Sequence, residues 1–320
     1  MSDKYTLIIG NTWDVTKSMF LQENRKKNID VSYNYNKLKR IGGKLANKYL
    51  SWNLPKKELF FEFKRLNLNK YDLIIIFECD FPERIISYIR RYNLSAKVVY
   101  WLWNSINNVN KDSCNDIKEI KKLILLQNIY NYQIYTFDKN DCSFYQFHYN
   151  NQVLRFFDKN INFIKYDTFF CGRDKSRLSK LKDLYEKLSR LYIRNKFLIY
   201  PDKNKIYDDE EKKFIMDKGI SYEEMLDYVL QSKCIIDIVQ INQGGLTWRP
   251  LEAMFYKKKL ITNFKQIKEY DFYNKENIFI LGEDDIHKIK KFINSKYIDV
   301  PKNIVRKYTI DGWIENFMKN

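Results

Sequence analysis

Residues 237–263 read DIVQINQGGLTWRPLEAMFYKKKLITN, and this stretch decides the fold. It begins inside Cys234-Ile235-Ile236-Asp237-Ile238-Val239, a short β-branched apolar run of the kind buried on both faces of a parallel sheet. Gln243-Gly244-Gly245-Leu246-Thr247 follows with small residues and an N-cap, which opens the backbone N–H groups of a helix N-terminus to an anion. Trp248 to Tyr256 reads as that helix, with Glu252 on its first turns, and Lys259-Leu260-Ile261-Thr262 enters the next strand.

Outward from this stretch the same alternation recurs. Towards the N-terminus, Tyr166 to Cys171, Lys196 to Tyr200 and Cys234 to Val239 are strands, separated by helices at Arg177 to Tyr192 and Tyr222 to Ser232; Ile278 to Leu281 extends the series and Tyr308 to Met318 closes it. Ser221 and Glu224 form a capping box ahead of the second of these helices. The N-terminal half repeats the pattern. Strands are expected at Tyr5 to Gly10, Ile29 to Tyr33, Tyr71 to Phe77, Lys97 to Trp103 and Gln133 to Phe137, with helices at Leu38 to Trp52 and Pro82 to Asn93 and helical spacing over Glu58 to Leu66. Strands alternating with helices call for doubly wound parallel sheets, whose ligands sit beyond the carboxyl ends of the strands.

A chain of 320 residues holds two domains of about 150 residues each. The expected division is an N-terminal domain over 1–158, a second over 159–305 and a closing segment over 306–320, with no Pro/Gly/Ser linker between the halves. Hydrophobic content of 45% and aromatic content of 17% exclude disorder. The net charge of +17 invites nucleic acid, an anionic membrane surface or phosphorylated substrates. Its Lys and Arg residues are spread along the chain, in runs such as Lys118 to Lys122, without an arginine-rich arm or a nucleic-acid signature, so nucleic acid is not the expected partner. Five cysteines lack disulfide or metal spacing, no 18-residue apolar stretch occurs and no signal peptide opens the chain, which together imply a cytoplasmic protein whose membrane contact is peripheral.

The segment 237–263 resembles the C-terminal donor half of GT-B glycosyltransferases, where a glycine-containing turn precedes an E-A helix and a G-K-P-V-I type strand. The wider stretch, with Tyr270-Asp271-Phe272-Tyr273-Asn274 and Asn277-Ile278-Phe279, looks like transferases of bacterial lipopolysaccharide or capsule synthesis. The resemblance implies two Rossmann-like domains facing across a cleft, a nucleoside diphosphate-sugar donor in the second and a glycan or lipid-linked acceptor in the first. It assigns Glu252 to the ribose hydroxyls. The family's other glutamate stands eight positions upstream, where this chain has Gly244 with Gln243 beside it, so retention or inversion stays open. Gly172-Arg173-Asp174-Lys175 resembles the turn that opens the family's donor domain, with Arg173 and Lys175 as diphosphate ligands and Arg177 turned to solvent.

Around these residues the alternatives are physical ones. Cations at a helix start oppose its dipole, which points to an anion bound there. Thr247 is an N-cap or a phosphate ligand, Arg249 a second diphosphate ligand or a side chain lying over Trp248, and Tyr222 a stacking partner for the base or part of a capped helix. Gly245 and Leu246 complete the turn. A proton acceptor for the acceptor hydroxyl should lie just beyond a strand, where Asp14, Glu78 and Asp80 compete. His148 and His287 lie far apart and no Asp-x-Asp occurs, so no metal and no cofactor is expected. The rival readings are a sugar-nucleotide epimerase or phosphorylase of the same architecture and a basic nucleic-acid-binding or scaffold protein.

Overall fold

A computed structural model describes residues 4–11, 14–20, 23, 26–33, 62–79, 82–106, 117–161, 163–203, 205–240 and 244–319. The chain divides into two compact units, one formed by Met1–Asn150 with Phe317–Asn320 and the other by Asn151–Asn316.

In the first unit β1 (Thr6–Gly10), β2 (Ile29–Tyr33), β3 (Leu73–Phe77), β4 (Lys97–Leu102), β5 (Gln133–Thr136) and β6 (His148–Tyr149) form one parallel sheet in the order β2-β1-β3-β4-β5-β6. Every residue of β1 and β3 is buried, as their unbroken apolar runs require. The described helices are α1 (Asp14–Phe20), α2 (Pro82–Tyr92), α3 (Ile117–Tyr130) and α4 (Lys139–Tyr145). Ile85, Ile86 and Ile89 of α2 face the core. Arg90 of the same helix donates to Ala96 O, just ahead of β4, at 2.8 Å and to Tyr130 O at 2.7 Å, the latter a carbonyl at the end of α3 that no helical N–H reaches. The Phe317 ring meets Tyr135 edge to face at 4.8 Å.

In the second unit β7 (Tyr166–Arg173), β8 (Asn195–Tyr200), β9 (Ser232–Asp237), β10 (Lys259–Thr262) and β11 (Ile278–Ile280) form a parallel sheet in the order β11-β10-β9-β7-β8. Its described helices are α5 (Leu178–Arg190), α6 (Asp209–Lys212), α7 (Tyr222–Leu230), α8 (Trp248–Phe255), α9 (Ile289–Asn294), α10 (Lys302–Arg306) and α11 (Ile310–Lys319), the last of which belongs to the first unit from Phe317 onward. Alternate strand residues bury on opposite faces. Cys234 and Ile236 of β9 share a core with Leu181 and Leu188 of α5, while Ile235 packs with Leu226 of α7 and Leu251 of α8. Both sheets thus follow one logic: the first strand is interior, the second lies to one side and the later strands run to the other. The expected α/β class, with two doubly wound parallel sheets, is the observed one.

The differences are local. The basic run Lys118 to Lys122 lies within α3, whose Leu123, Ile124 and Leu126 pack on the sheet. Of Glu58 to Leu66, only Glu62–Arg65 is a described helical turn, and it is 3-10. The helix expected at Leu38 to Trp52 lies outside the described residues. Gly172 and Arg173 stay in strand β7 and do not open a turn, because they still pair with Ile199 and Tyr200 of β8.

Candidate functional site

In the sheet order of the second unit, the chain leaves β7 for β8 on one side and returns to β9 on the other. The crevice beyond the carboxyl ends of β7 and β9 is therefore its switch point, where open α/β sheets bind ligands. Arg173 ends β7 and Asp237 ends β9. Arg177 spans the two: its guanidinium donates to Arg173 O at 2.9 Å and to Ile238 O. Gly172 makes room for it, since a Cβ there would lie 3.0 Å from Arg177 Nη2 and 3.3 Å from the Phe170 ring. Arg177, expected to face solvent, is the cation held across the switch point. No helical spacing marked it in the sequence, because Arg173 belongs to strand β7 and Lys175 and Ser176 are left-handed turn residues.

The approach to α5 is an unusual piece of backbone. Lys175 and Ser176 both have left-handed φ, 47° and 58°, which L-residues adopt rarely. Their N–H groups donate to the two oxygens of Asp202, at 3.0 and 3.2 Å. The next two, Arg177 N and Leu178 N, donate to Asp174 Oδ1 at 2.9 and 2.8 Å. Four successive N–H groups at a helix start are thus answered by carboxylates of the chain itself. Asp174 is fully buried and also holds Lys205 Nζ at 2.7 Å and the Tyr207 hydroxyl at 3.0 Å. Burial pushes its pKa up, and the Lys205 and Tyr207 bonds outweigh that and hold the carboxyl below its ordinary range. Arg173 is exposed and donates to Pro201 O at 3.1 Å; Lys175 is exposed beside it.

Helix α8 brings the second half of the site. Thr247 is its N-cap, accepting from Arg249 N at 3.2 Å and donating to Asp237 Oδ1 at 2.9 Å. Burial pushes the Asp237 carboxyl up to about 6, against the Thr247 hydrogen bond and the charges of Arg177 and Arg249. Gly245 and Leu246 are buried at the turn and Gly244 partly so; Gln243 lies outside the described residues.

Glu252 is fully buried rather than an exposed helical acid. Its Oε1 accepts from the Tyr222 hydroxyl at 3.0 Å and its Oε2 pairs with Arg249 one turn earlier. Burial raises its pKa, and the Arg249 charge opposes that rise. Tyr222 is spoken for by this bond, on a helix whose Ser221–Glu224 capping box forms as expected. The arrangement offers an anion three cations and a capped helix N-terminus at one strand edge, with Arg249 locked behind them.

In the first unit the corresponding switch point lies beyond β1 and β3, where Asn11 Nδ2 donates to Glu78 O at 3.1 Å. Glu78 is buried, with left-handed φ of 32°, and its Oε2 accepts from Trp103 N at 2.8 Å and Asn104 N at 3.2 Å. It clamps the ends of β3 and β4 together. Asp14 begins α1 and Asp80 lies outside the described residues. Among the described residues no cluster of His, Cys, Asp and Glu fits a metal ion, and no helix is long and apolar enough to cross a membrane.

No family model matches the chain, and no curated protein does. Among solved structures it is similar to the glycotransferase of kitacinnamycin, with 6% identity and a TM-score of 0.43 over 100% of this chain and 96% of that one. It is also similar to the GtfA/B complex bound to UDP and GlcNAc, with 12% identity and a TM-score of 0.29 over 75% of this chain and 56% of that one. At such values neither likeness carries an argument. The class rests on strand order: an α/β protein of two doubly wound parallel-sheet units.

Proposed function

We propose that the chain is a GT-B glycosyltransferase that needs no metal and moves a sugar from a nucleoside diphosphate-sugar, UDP first among them, to a lipid-linked or oligosaccharide acceptor in bacterial surface polysaccharide synthesis. The observation that carries this reading is Arg177 held across the switch point, with Arg173, Lys175 and the capped start of α8 around it. A departing nucleoside diphosphate gains negative charge, and fixed cations with oriented N–H groups stabilise that charge. Donor binding falls to the unit Asn151–Asn316 and acceptor binding to the unit Met1–Asn150 with Phe317–Asn320, in place of the expected division at 158/159 and 305/306.

In this reading Glu252 first positions Arg249, and it reaches a ribose once the Tyr222 hydroxyl swings away. The Glu78 carboxylate is taken up by Trp103 N and Asn104 in joining the ends of β3 and β4, which leaves the acceptor's proton to Asp14 or Asp80. The protein works at the cytoplasmic membrane face. Leu125 and Ile129, 74% and 70% exposed, lie one turn apart on α3 beside exposed Lys121 and Lys122, the interleaving that suits an anionic headgroup layer.

Calorimetry with UDP, GDP, TDP, ADP and CMP in EDTA tests the proposal. Micromolar binding of one diphosphate, abolished in Arg177→Ala, supports it. Absence of binding by all five, together with unaltered activity in Glu252→Ala, overturns it.

A further inference from the structure

We infer that Asp202 is an internal anion occupying the phosphate seat of the empty protein, and that the donor's diphosphate displaces it. The inference rests on the donor-site reading above and assigns a role to a residue outside the motifs of that site.

Two carboxylates answer the four N–H groups at the start of α5, and they are not equivalent. Asp174 is sealed in and bound by Lys205, Tyr207, Arg177 N and Leu178 N, so removing it would leave the buried Tyr207 hydroxyl without its acceptor and Lys205 without its nearest counter-charge. Asp202 sits at the rim, only partly buried, and among the described residues its carboxylate accepts only from Lys175 N and Ser176 N. No cation pairs with it there, although Lys175 and Arg177 lie close enough to feel its charge. Its backbone is pinned separately, since Asp202 N donates to the Tyr207 hydroxyl at 2.8 Å. The side chain can therefore rotate out while the loop stays in place.

Successive N–H groups converging on one anion form a nest, and the left-handed Lys175 and Ser176 are what aim them. A carboxylate in that nest mimics two phosphate oxygens but carries less charge than a diphosphate. The named groups at this strand edge are Arg173, Lys175, Arg177, Lys205 and Arg249 against Asp174, Asp202, Asp237 and Glu252. Exchanging Asp202 for a diphosphate answers the surplus of cations; adding a diphosphate beside Asp202 sets like charges together. Displacement is thus the favourable route, and the carboxylate taxes donor affinity.

The test is nucleoside diphosphate affinity in Asp202→Asn and Asp202→Ala, measured by calorimetry with inorganic pyrophosphate as a second probe. Displacement predicts that both variants bind about tenfold more tightly than wild type, the factor expected from losing one charge-assisted competitor. A clasp that merely holds the loop predicts the reverse, so equal or weaker binding in folded variants overturns the inference while wild-type binding leaves the donor site standing. Failure of wild type and variants alike to bind any diphosphate overturns both. Should the variants not fold, the wild-type amide resonances of Lys175 and Ser176 decide. They shift on adding the diphosphate that binds if the partner changes, and unmoved resonances sink the displacement.

Discussion

The Thr247 hydroxyl donates to Asp237 Oδ1 at 2.9 Å and accepts from Arg249 N at 3.2 Å, so one side chain joins the last residue of β9 to the first turn of α8. Among the described residues the other side-chain hydrogen bond to Asp237 comes from the Thr262 hydroxyl at 3.5 Å, on the strand registered beside it. Thr247→Val should cost about 2 kcal/mol of stability at neutral pH, for a lost cap and a buried carboxylate oxygen without its donor. Thr247→Ser should stay near wild type. Urea unfolding of the three proteins measures the difference, and equal midpoints would remove the hydroxyl from the account.

Removing one partner of a buried ion pair costs more than the pair contributes. Glu252→Ala should therefore destabilise the protein by about 3–5 kcal/mol, because Arg249 is left enclosed without its counter-charge. Tyr222→Phe, which only deletes the hydroxyl bonded to Oε1, should cost about 1–2 kcal/mol. Thermal melting of both variants checks the ranking.

Two carboxyls, Asp141 and Asp237, are pushed up to about 6 by burial from an ordinary value of 3.8. Each holds its proton more tightly folded than unfolded. Stability from these groups is fully present below pH 4 and is lost as pH rises through about 6, by up to about 3 kcal/mol each. Asp141 Oδ2 accepts from Ile106 N at 2.8 Å while its Oδ1 is buried without a partner. Asp141→Asn should accordingly gain stability relative to wild type as pH rises from about 4 to about 7. A parallel pair of stability curves would show that Asp141 does not titrate in this window.

Gly312 lies where α10 runs into α11, and a Cβ there would stand 2.0 Å from Arg306 O. Backbone cannot give way as a side-chain tip can. Gly312→Ala should cost at least about 2–3 kcal/mol despite its better helix propensity. Circular dichroism on heating reads this directly.

The exposed stripe on α3 predicts a lipid dependence. Leu125→Glu with Ile129→Glu should weaken sedimentation with vesicles rich in anionic lipid several-fold, without changing the melting temperature, because neither side chain is buried. Equal sedimentation of wild type and variant would detach this face from the membrane.

Much of the architecture was legible in the chain. Apolar β-branched runs such as 73–77 and 234–236, the Ser221–Glu224 box and the Thr247 cap encode local burial and local hydrogen bonds, which depend on neighbours a few residues away. Helix α3 was hidden because apolar residues surround much of its circumference, Leu125 and Ile129 outward as well as Leu123 inward, which erases the one-sided period. Tertiary structure alone decided the charges. Arg177 reaches a carbonyl 61 residues later, Asp202 answers amides 26 and 27 residues earlier, and Glu252 shares Tyr222 across 30 residues. Those pairings follow from strand order and register, which set which loops meet at the switch point, and no short-range pattern of residues specifies that meeting.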